Sequence, residues 1–504
     1  MSNSTTDEPA TLAPSATITN NPENTATVTR SPTRTPWPTR TPTATSTPKP
    51  DTVWGDGIEP ILLKNFEGIW SPTANQLVGL YAWENGSIAL VNAPDFSIEP
   101  LNIENASFET ANFFWSQDGT RILFTGPYGD GQYPVDSSFA YSNLWVMQNN
   151  GSNAHPLFPG ETVFRGLTFK NWIDENFFVF TEYFGGGGKG AHIVDIAAGQ
   201  SVQYVNVDVG DTLEPNGIFV PAFTCQFGPC DLFVFSRQQA PHPFPTAKVA
   251  KTDKVADFFF KDWLPGTNKM LLVWFGWDAL DYEYWATASH LLLWDVDTDQ
   301  VTSIAPGGVH GKFSENGQFL AFVTFGDSAA YQKETVSPFS AIPISKEAIP
   351  YIQIQELGSQ ENFLSLPIVG TVNSSSYPPP IYDMELAFSF DSRYFAFLSP
   401  GAVTLNDNHW PIAVDVTEGK NYLNLLDLQT RELIVSIPDI YQYSSISWSP
   451  NNDKLLYQDV NKNWFVYELE KKQVDPITQK DGADFGWPPA WSFDGRYLSF
   501  SKYT

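Results

Sequence analysis

The amino-acid sequence predicts an all-β fold, a β-propeller of about eight four-stranded blades. A phrase of an aromatic residue, Ser, any residue, Asp or Asn, and Gly recurs along the 504-residue chain, and each copy leads into an apolar run. A further strand-like segment, a turn and another strand follow the apolar run. Because strand-rich repeats of this length form sheets arranged in a ring, the two patterns together indicate propeller blades of about four strands each.

The phrase has two complete copies, at residues 115–124 and 491–500. The other copies are looser and begin at Trp70, Phe313, Phe388 and Trp448, in degenerate form at Trp172 and Trp263, and doubtfully at Cys225. Eight copies predict eight blades. Seven blades follow if one degenerate copy is only a decoration, and nine follow if the doubtful copy begins a blade.

Each part of the phrase has a physical reason. Asp-Gly, Asn-Gly and Asp-Ser supply the positive φ angle and the local hydrogen bonds that a tight turn between strands needs. The aromatic residue offers a large apolar body to the neighbouring blade. The run after the turn, Ile122-Leu123-Phe124 in the second copy along the chain, is too continuous for a strand with one wet face. It fits a strand that is sandwiched between adjacent blades.

Closure of the ring is predicted to use both ends of the propeller. The last copy ends with its apolar run, and residues 52–66, which contain a strand-like segment at 61–63, precede the first copy. We therefore expect N- and C-terminal strands to complete the last blade together, since this leaves no open sheet edge. The long gap between Phe313 and Phe388 predicts an insertion around residues 331–350.

The complete copy at 115–124 and the strand Trp145-Val146-Met147 that follows it, with Gly151-Ser152 at its turn, resemble the TolB-type propeller repeats, also called WD40-like or PD40 repeats. The resemblance extends over residues 52–504 and implies a propeller. It does not extend to true WD40 proteins, because the Gly-His element is missing and Trp294-Asp295 stands alone. The resemblance does not select a function.

The first 51 residues differ in composition from the rest. They are rich in Thr, Pro and Ser and have almost nothing to bury, which predicts a disordered stalk or linker ahead of the propeller at 52–504. Small polar residues directly after Met1 favour an exported protein whose signal peptide has been removed. We expect an extracellular or envelope-attached location, with anchoring by a lipid or by the stalk left open. No run of 18 apolar residues predicts a transmembrane span.

The net charge of −28 narrows the classes of partner. Four acidic and four basic residues cancel within residues 1–51, so the propeller carries the whole excess. This disfavours nucleic acid, anionic lipid and polyanionic sugars. It leaves a protein with a cationic surface or a neutral glycan at the cell surface as the expected partner, although solubility alone is the plainer explanation of the charge.

Cysteine and histidine usage gives no catalytic pattern. Cys225 and Cys230 are predicted to form a disulfide in an exported protein. The chain lacks a Gly-x-Ser-x-Gly elbow, a phosphate-binding glycine loop and a His-Glu-x-x-His pair. The sequence therefore predicts a non-catalytic recognition or scaffold propeller without a cofactor, with a bound divalent cation left open.

Two alternatives to a recognition module remain. Some TolB-like propellers resemble oligogalacturonate lyases. This resemblance implies, as one alternative, a metal-assisted polysaccharide lyase or hydrolase at the propeller mouth. That enzyme needs at least three nearby ligands from the set His192, His242, His290, His310 and His409. The second alternative is a structural subunit of a surface layer or filament.

Three segments are the candidate ligand contacts. The first is the glycine-rich stretch 183–192 with Lys189 and His192, whose plainer interpretation is a turn between two strands. The other two are aromatic and acidic, and Trp and Tyr supply much of the energy at binding surfaces. Their candidate residues are Tyr128, Asp130 and Tyr133 in one segment and Trp277, Asp278, Asp281, Tyr282, Tyr284 and Trp285 in the other. Packing between blades is the plainer interpretation of the last segment.

Overall fold

The computed structural model of the chain describes most of the propeller region. The described residues are 66–81, 87–101, 103, 112–126, 141–158, 164–165, 167–185, 188–205, 208–209, 219–224, 231–236, 239–245, 255–277, 286–325, 342–343, 349–359, 362–369, 384–407, 410–417, 420–441, 444–477 and 489–499. The chain divides into two units, 1–57 and 58–504. The predicted stalk at 1–51 lies outside the described residues and stays a prediction.

The first three sheets each run in chain order from one edge to the other. Sheet 1 consists of β1 (Phe66–Trp70), β2 (Gln76–Tyr81), β3 (Ser87–Asn92) and β4 (Ser97–Leu101). Sheet 2 consists of β5 (Phe113–Trp115), β6 (Arg121–Gly126), β7 (Tyr141–Gln148) and β8 (His155–Pro156), with β9 (Phe164–Arg165) also on β7. Sheet 3 consists of β10 (Thr168–Trp172), β11 (Phe177–Gly185), β12 (Gly188–Asp195) and β13 (Gln200–Val205).

The next two sheets keep the same order of strands. Sheet 4 consists of β14 (Asp208–Val209), β15 (Phe219–Thr224), β16 (Asp231–Ser236) and β17 (Gln239–Pro243). Sheet 5 consists of β18 (Val255–Leu264), β19 (Lys269–Trp277), β20 (Ala286–Asp295) and β21 (Gln300–Pro306), with β24 (Ile342–Pro343) also on β20.

The last four sheets include one long sheet and one short one. Sheet 6 consists of β22 (Gly308–Phe313), β23 (Phe319–Phe325), β25 (Pro350–Glu356), β26 (Asn362–Val369), β30 (Pro411–Val416) and β29 (Gly401–Leu405). Sheet 7 consists of β27 (Leu386–Phe388), β28 (Tyr394–Ser399), β31 (Tyr422–Asp427) and β32 (Glu432–Ile437). Sheet 8 consists of β33 (Ser447–Trp448), β34 (Lys454–Gln458), β35 (Trp464–Glu468) and β36 (Gln473–Pro476), and sheet 9 of β37 (Ala490–Trp491) and β38 (Leu498–Ser499).

The sheets form a β-propeller, and the described residues supply nine of them. First strands of neighbouring sheets contact each other, as β18 does with β22 and β22 with β27. The ring closes where β37 of sheet 9 contacts β1 of sheet 1. Among the described residues no helix is long and apolar enough to cross a membrane. The all-β propeller predicted from the repeat is confirmed.

Nine sheets are described where eight copies predicted eight blades. The additional sheet is sheet 4, which contains the doubtful copy at Cys225. Residues 225–230 join β15 to β16, the second and third strands, and not the first and second as in the other copies. The phrase was therefore matched one strand too late in this sheet. Of the segment 52–66, which was predicted to complete the last blade, only Phe66 is described, and it begins β1 of sheet 1.

The second strands are buried between neighbouring sheets. Every residue of β23 is buried, and Phe395 and Phe397 of β28 are fully buried. Both strands follow a copy of the turn, so the prediction that the apolar run lies between neighbouring blades is confirmed. The largest apolar cluster extends from β19 of sheet 5 to β31 of sheet 7 and joins three sheets.

In three sheets the tryptophan of the phrase is hydrogen-bonded to the preceding sheet. The indole N–H of Trp115 donates to the Ile69 carbonyl at 3.2 Å, one residue before the aromatic of sheet 1. Trp448 and Trp491 make the equivalent bonds at 3.2 Å and 3.4 Å, to Ala387 and Ser447. Tryptophan therefore adds a directed hydrogen bond to the apolar contact that the sequence predicted.

The serine of the phrase holds the turn closed, a role that the sequence analysis did not assign. In sheet 6 the buried Ser314 hydroxyl donates to Asn316 Oδ1 at 2.9 Å and accepts the Phe319 N–H at 2.9 Å. The same pair of bonds occurs at Ser116, Ser389 and Ser492. Ser449 accepts the equivalent N–H, from Lys454, but its hydroxyl donates to Asp453, four residues later. One small side chain thus satisfies an amide group and orients the turn acid or amide.

We expect Ser314→Ala to lower the free energy of unfolding by about 1–3 kcal/mol, because the buried Phe319 N–H loses its acceptor. Urea unfolding followed by tryptophan fluorescence measures this loss. Ser365→Ala, at an exposed serine of β26 in the same sheet, is the matched control and should leave the midpoint unchanged. Equal midpoints for the two variants would show that the hydroxyl does not stabilise the turn.

The positive φ angles fall where the phrase predicts them. Gly119, Gly317 and Gly495 have φ angles of 66°, 69° and 68°. Ser392 and Asn452 hold the same place in their copies with φ near 60°. The prediction of a left-handed residue at the Asp-Gly step is therefore confirmed, including in copies that lack glycine.

The turns between first and second strands contact one another around the ring. The bonds between them run from Arg121 Nη1 to the Glu175 carbonyl (2.7 Å), from Asn316 N to Ser392 Oγ (3.0 Å), from Asp391 N to Asn452 Oδ1 (3.3 Å) and from Asn75 Nδ2 to Asp494 Oδ2 (2.7 Å). These turns therefore lie at the same end of their sheets, which we call the turn end. Because the strands are antiparallel, connections from second to third strands lie at the opposite end, which we call the loop end.

Sheets 6 and 7 carry insertions at the loop end. The predicted insertion at 331–350 falls between β23 and β25, and its strand β24 pairs with Ala288 and Ser289 of sheet 5. A second insertion, the hairpin of β29 and β30, falls between β28 and β31. Its strand β30 pairs in parallel with β26, the fourth strand of sheet 6, through Ile368 and Val414, which is how the hairpin extends that sheet. Each insertion therefore attaches to the preceding sheet.

Candidate functional site

The three candidate segments join second to third strands in three different sheets. Residues 127–140 join β6 to β7, residues 186–187 join β11 to β12, and residues 278–285 join β19 to β20. All three connections therefore belong to the loop end. The insertions of sheets 6 and 7 belong to it as well, so five of the nine sheets carry a candidate segment or an insertion there.

Most of the candidate residues lie outside the described part of the chain. Lys189 is in β12 and pairs in register with Tyr183 of β11. Trp277 is the last residue of β19 and pairs with Ala286. The candidates beyond the described residues are Tyr128, Asp130, Tyr133, Asp278, Asp281, Tyr282, Tyr284 and Trp285, together with the cysteines Cys225 and Cys230. The ligand contacts and the disulfide stay predictions.

His192 is placed inside sheet 3 and not on a surface loop. It pairs with Phe180, its ring stacks on the Phe180 ring at 4.4 Å, and only 4% of the residue is exposed. Its Nε2 lies 3.1 Å from Glu182 Oε2. Burial lowers the pKa of His192 despite the nearby carboxylate, so the ring is neutral near pH 7. His192 therefore fits the plainer interpretation of residues 183–192, which is two strands joined by a turn.

The histidines that the lyase alternative needs contact different partners in different sheets. His242 Nε2 lies 2.8 Å from Asp299 Oδ1, and the buried His290 has its Nε2 2.6 Å from Ser303 Oγ. His409 lies outside the described residues. Within the described ranges, no three His, Cys, Asp or Glu side chains are arranged to hold a metal ion. The four described histidines of the set therefore do not form the site that this enzyme requires.

Charged residues gather on the first strands of sheets 5 and 6. Lys312 Nζ of β22 lies 3.5 Å from Asp262 Oδ1 of β18, and the Phe313 N–H donates to Asp262 Oδ2 at 2.8 Å. Glu385, one residue before β27 of sheet 7, also interacts with Lys312. We call Asp262, His310, Lys312 and Glu385 the inner-strand cluster.

Burial shifts the pKa values of three groups in the inner-strand cluster. It raises the pKa of Asp262 and of Glu385, although Lys312 opposes both shifts. It lowers the pKa of His310 to about 3, and the nearby Lys261 and Lys312 contribute to this shift. The cluster thus combines one ammonium group, a neutral imidazole and two carboxylates whose charged forms are destabilised.

The inner-strand cluster was not predicted from the sequence, although a signal was present. Lys261-Asp262 directly precedes Trp263, His310 and Lys312 precede Phe313, and Glu385 precedes Phe388 by three residues. In the corresponding strands β5 and β33 the residues before the aromatic are uncharged. Alignment of the copies on their aromatic residue shows these charges in three adjacent blades, but it also shows Glu67 before Trp70 and Lys170 before Trp172, so it does not single out the cluster by itself.

Comparison with known proteins gives only distant similarities. No family model matches the chain, and no curated protein matches its sequence. The structure is similar to a eukaryotic initiation factor, with 12% identity over 82% of this chain and 87% of that one and a TM-score of 0.44. It is also similar to Porphyromonas gingivalis dipeptidyl peptidase 4 (9% identity, 83% of this chain, 60% of the peptidase, TM-score 0.47) and to a putative TolB from Agrobacterium tumefaciens (14%, 48%, 80%, 0.27). At these values none of the similarities indicates an activity, and the TolB type stays a resemblance of the repeat.

Proposed function

We propose that the protein is a non-catalytic recognition or scaffold propeller that binds a protein or a neutral glycan at its loop end. The observation that supports this most is the position of the three aromatic or glycine-rich segments, which all join second to third strands. Residues that are distant in sequence can therefore contact one ligand. Binding residues commonly lie on loops that a rigid scaffold positions.

The composition of the segments fits recognition by contact. Trp274 is buried in the core, and the residues after it, 275–285, contain two tryptophans, two tyrosines, a phenylalanine and three acids. Aromatic rings stack on sugar faces and bury apolar side chains, while carboxylates accept hydrogen bonds from hydroxyl or cationic groups. The net charge of −28 favours neutral or cationic ligands at such a surface. We include in the proposal the extracellular or envelope location that the stalk predicts.

The test uses arrays of neutral glycans and of cationic peptides, probed with the labelled full chain. We expect the triple variant Tyr282→Ser, Tyr284→Ser and Trp285→Ser to bind any retained probe at least about tenfold more weakly, because aromatic residues dominate such contacts. The dissociation constant is measured by biolayer interferometry. A matched control, Val474→Ser, changes an exposed apolar residue of β36 and should bind like the wild type.

A chelator separates the proposal from the enzyme alternative. Binding should persist when EDTA is present, and the bound glycan should be recovered intact. Release of unsaturated sugar ends from a uronic-acid polysaccharide, tested separately and lost when EDTA is added, would favour the metal-assisted lyase. Equal binding of the triple variant and the wild type would place the site elsewhere.

A further inference from the structure

The joint that closes the ring, between sheets 9 and 1, has a close match in the joint between sheets 7 and 8. In both joints a tyrosine directly after the turn stacks on the tryptophan of the next sheet. The ring centroids of Tyr394 and Trp448 are 5.9 Å apart, and those of Tyr497 and Trp70 are 6.1 Å apart. The interplanar angles are 21° and 19°. Because the same residue pair meets in the same arrangement, the two joints can be compared bond by bond.

The hydrogen bond of the tryptophan is where the two joints differ. The Trp448 indole N–H donates to the Ala387 carbonyl of the preceding sheet at 3.2 Å. The corresponding acceptor for Trp70 is the Ala490 carbonyl, one residue before Trp491. The Trp70 indole nitrogen is buried, and among the described residues it has no hydrogen-bond partner. A buried donor without an acceptor costs stability, so the closed form of this joint is less favoured than that of its match.

The tryptophan of the closing joint is also less buried than its equivalents in three other sheets. Trp448 is buried in the apolar cluster of sheets 7 and 8. Trp172 and Trp263 of sheets 3 and 5 are buried in clusters that join these sheets to sheets 2 and 4. Trp70 is only half-buried. It therefore lacks both the indole bond and the burial that Trp448 combines.

A pair of side chains at the turn end holds the closing joint. Asn75 Nδ2 of sheet 1 donates to Asp494 Oδ2 of sheet 9 at 2.7 Å, and the Asp494 N–H donates to Asn75 Oδ1 at 3.3 Å. At the same place the matched joint has the bond from Asp391 N to Asn452 Oδ1 at 3.3 Å. Asn75 and Asp494 are half-buried, so water can replace both of their bonds when the joint opens. We call this pair the closing latch.

We propose that the propeller ring opens at the joint between sheets 9 and 1, and that the closing latch limits this opening. The missing indole bond lowers the cost of separating the two sheets at their first strands, while the latch keeps their turns together. Local opening of a folded protein occurs where its stabilising contacts are fewest. An open joint gives a ligand access to the central channel of the propeller from the side. This opening does not depend on the ligand site proposed above.

The test measures how fast a buried cysteine at each joint is alkylated. Ala89→Cys and Ala396→Cys replace fully buried alanines in sheets 1 and 7. Ile88 and Leu90 pack in the cluster shared with sheet 2, so Ala89, which lies between them in β3, faces sheet 9. Ala396 belongs to the cluster shared with sheet 8. Each thiol therefore reports on one of the two matched joints.

Iodoacetamide is added to the full chain under native conditions, and the alkylated peptides are quantified by mass spectrometry, which separates them from those of Cys225 and Cys230. We expect the thiol at position 89 to react at least about tenfold faster than the thiol at position 396, because only the first joint lacks the indole bond. Val91→Cys, at a second fully buried residue on the same face of β3, repeats the measurement.

Three further variants assign the difference to the indole and to the latch. Trp448→Phe should speed alkylation at position 396 about fivefold, whereas Trp70→Phe should change the rate at position 89 by less than about twofold, because no bond is lost. Asn75→Ala should speed the reaction at position 89 about tenfold and leave position 396 unchanged. The proposal is overturned if positions 89 and 396 react at equal rates, if the two tryptophan variants have equal effects, or if Asn75→Ala has no effect at position 89.

Discussion

Phe397→Ala is expected to lower the free energy of unfolding by about 3–5 kcal/mol, as is usual when a buried aromatic side chain is removed from a core. Phe397 lies in β28 with no exposed surface, and its ring stacks on the Phe395 ring at 5.5 Å. Both belong to the apolar cluster that joins sheets 5, 6 and 7. The loss combines the transfer of the ring to water with the cavity that remains. The measurement is the midpoint and slope of urea unfolding.

The matched control is Phe390→Ala, in the turn of the same sheet. Phe390 is 54% exposed, so its removal should change the free energy of unfolding by less than about 0.5 kcal/mol. Similar losses for the two variants would show that Phe390 is part of the core. A loss below about 1 kcal/mol for Phe397→Ala would contradict the packing of the second strands.

The parts of the fold that depend on local chemistry could be predicted from the sequence. A positive φ angle at Gly119 and Gly317 follows from the Asp-Gly and Asn-Gly steps alone. The burial of β23 follows from its unbroken apolar run. The common end of the three candidate segments also requires only strand order, because each follows an apolar run that is a second strand.

Other features depend on pairing between distant strands and could not be predicted in this way. Sheet 4 begins with β14, a two-residue strand that has no apolar pattern, so its copy of the phrase was matched to the wrong turn. The strand β24 pairs with β20 from an insertion in the following sheet. The inner-strand cluster is assembled from three blades, and a single blade shows only isolated charges in a first strand.

The inner-strand cluster makes the stability of the propeller sensitive to acid through His310. Its pKa falls from about 6.5 in the unfolded chain to about 3 in the folded one. Neutral His310 therefore contributes stability that is complete above pH 6.5 and is lost as the pH falls from 6.5 towards 3. Between pH 8 and pH 5 this loss amounts to about 2 kcal/mol. Asp262 and Glu385 have raised pKa values and act in the opposite direction, so total stability alone cannot isolate the histidine.

The variant His310→Gln isolates the effect, because any change in packing that it causes is independent of pH. We expect the free energy of unfolding of the wild type relative to the variant to fall by about 2 kcal/mol between pH 8 and pH 5. Urea unfolding at a series of pH values measures the two curves. Val460→Ser, at an exposed residue without a titratable group, should run parallel to the wild type. Parallel curves for His310→Gln and the wild type would mean that His310 takes up its proton without cost in the folded chain, and that the inner strands are open to water.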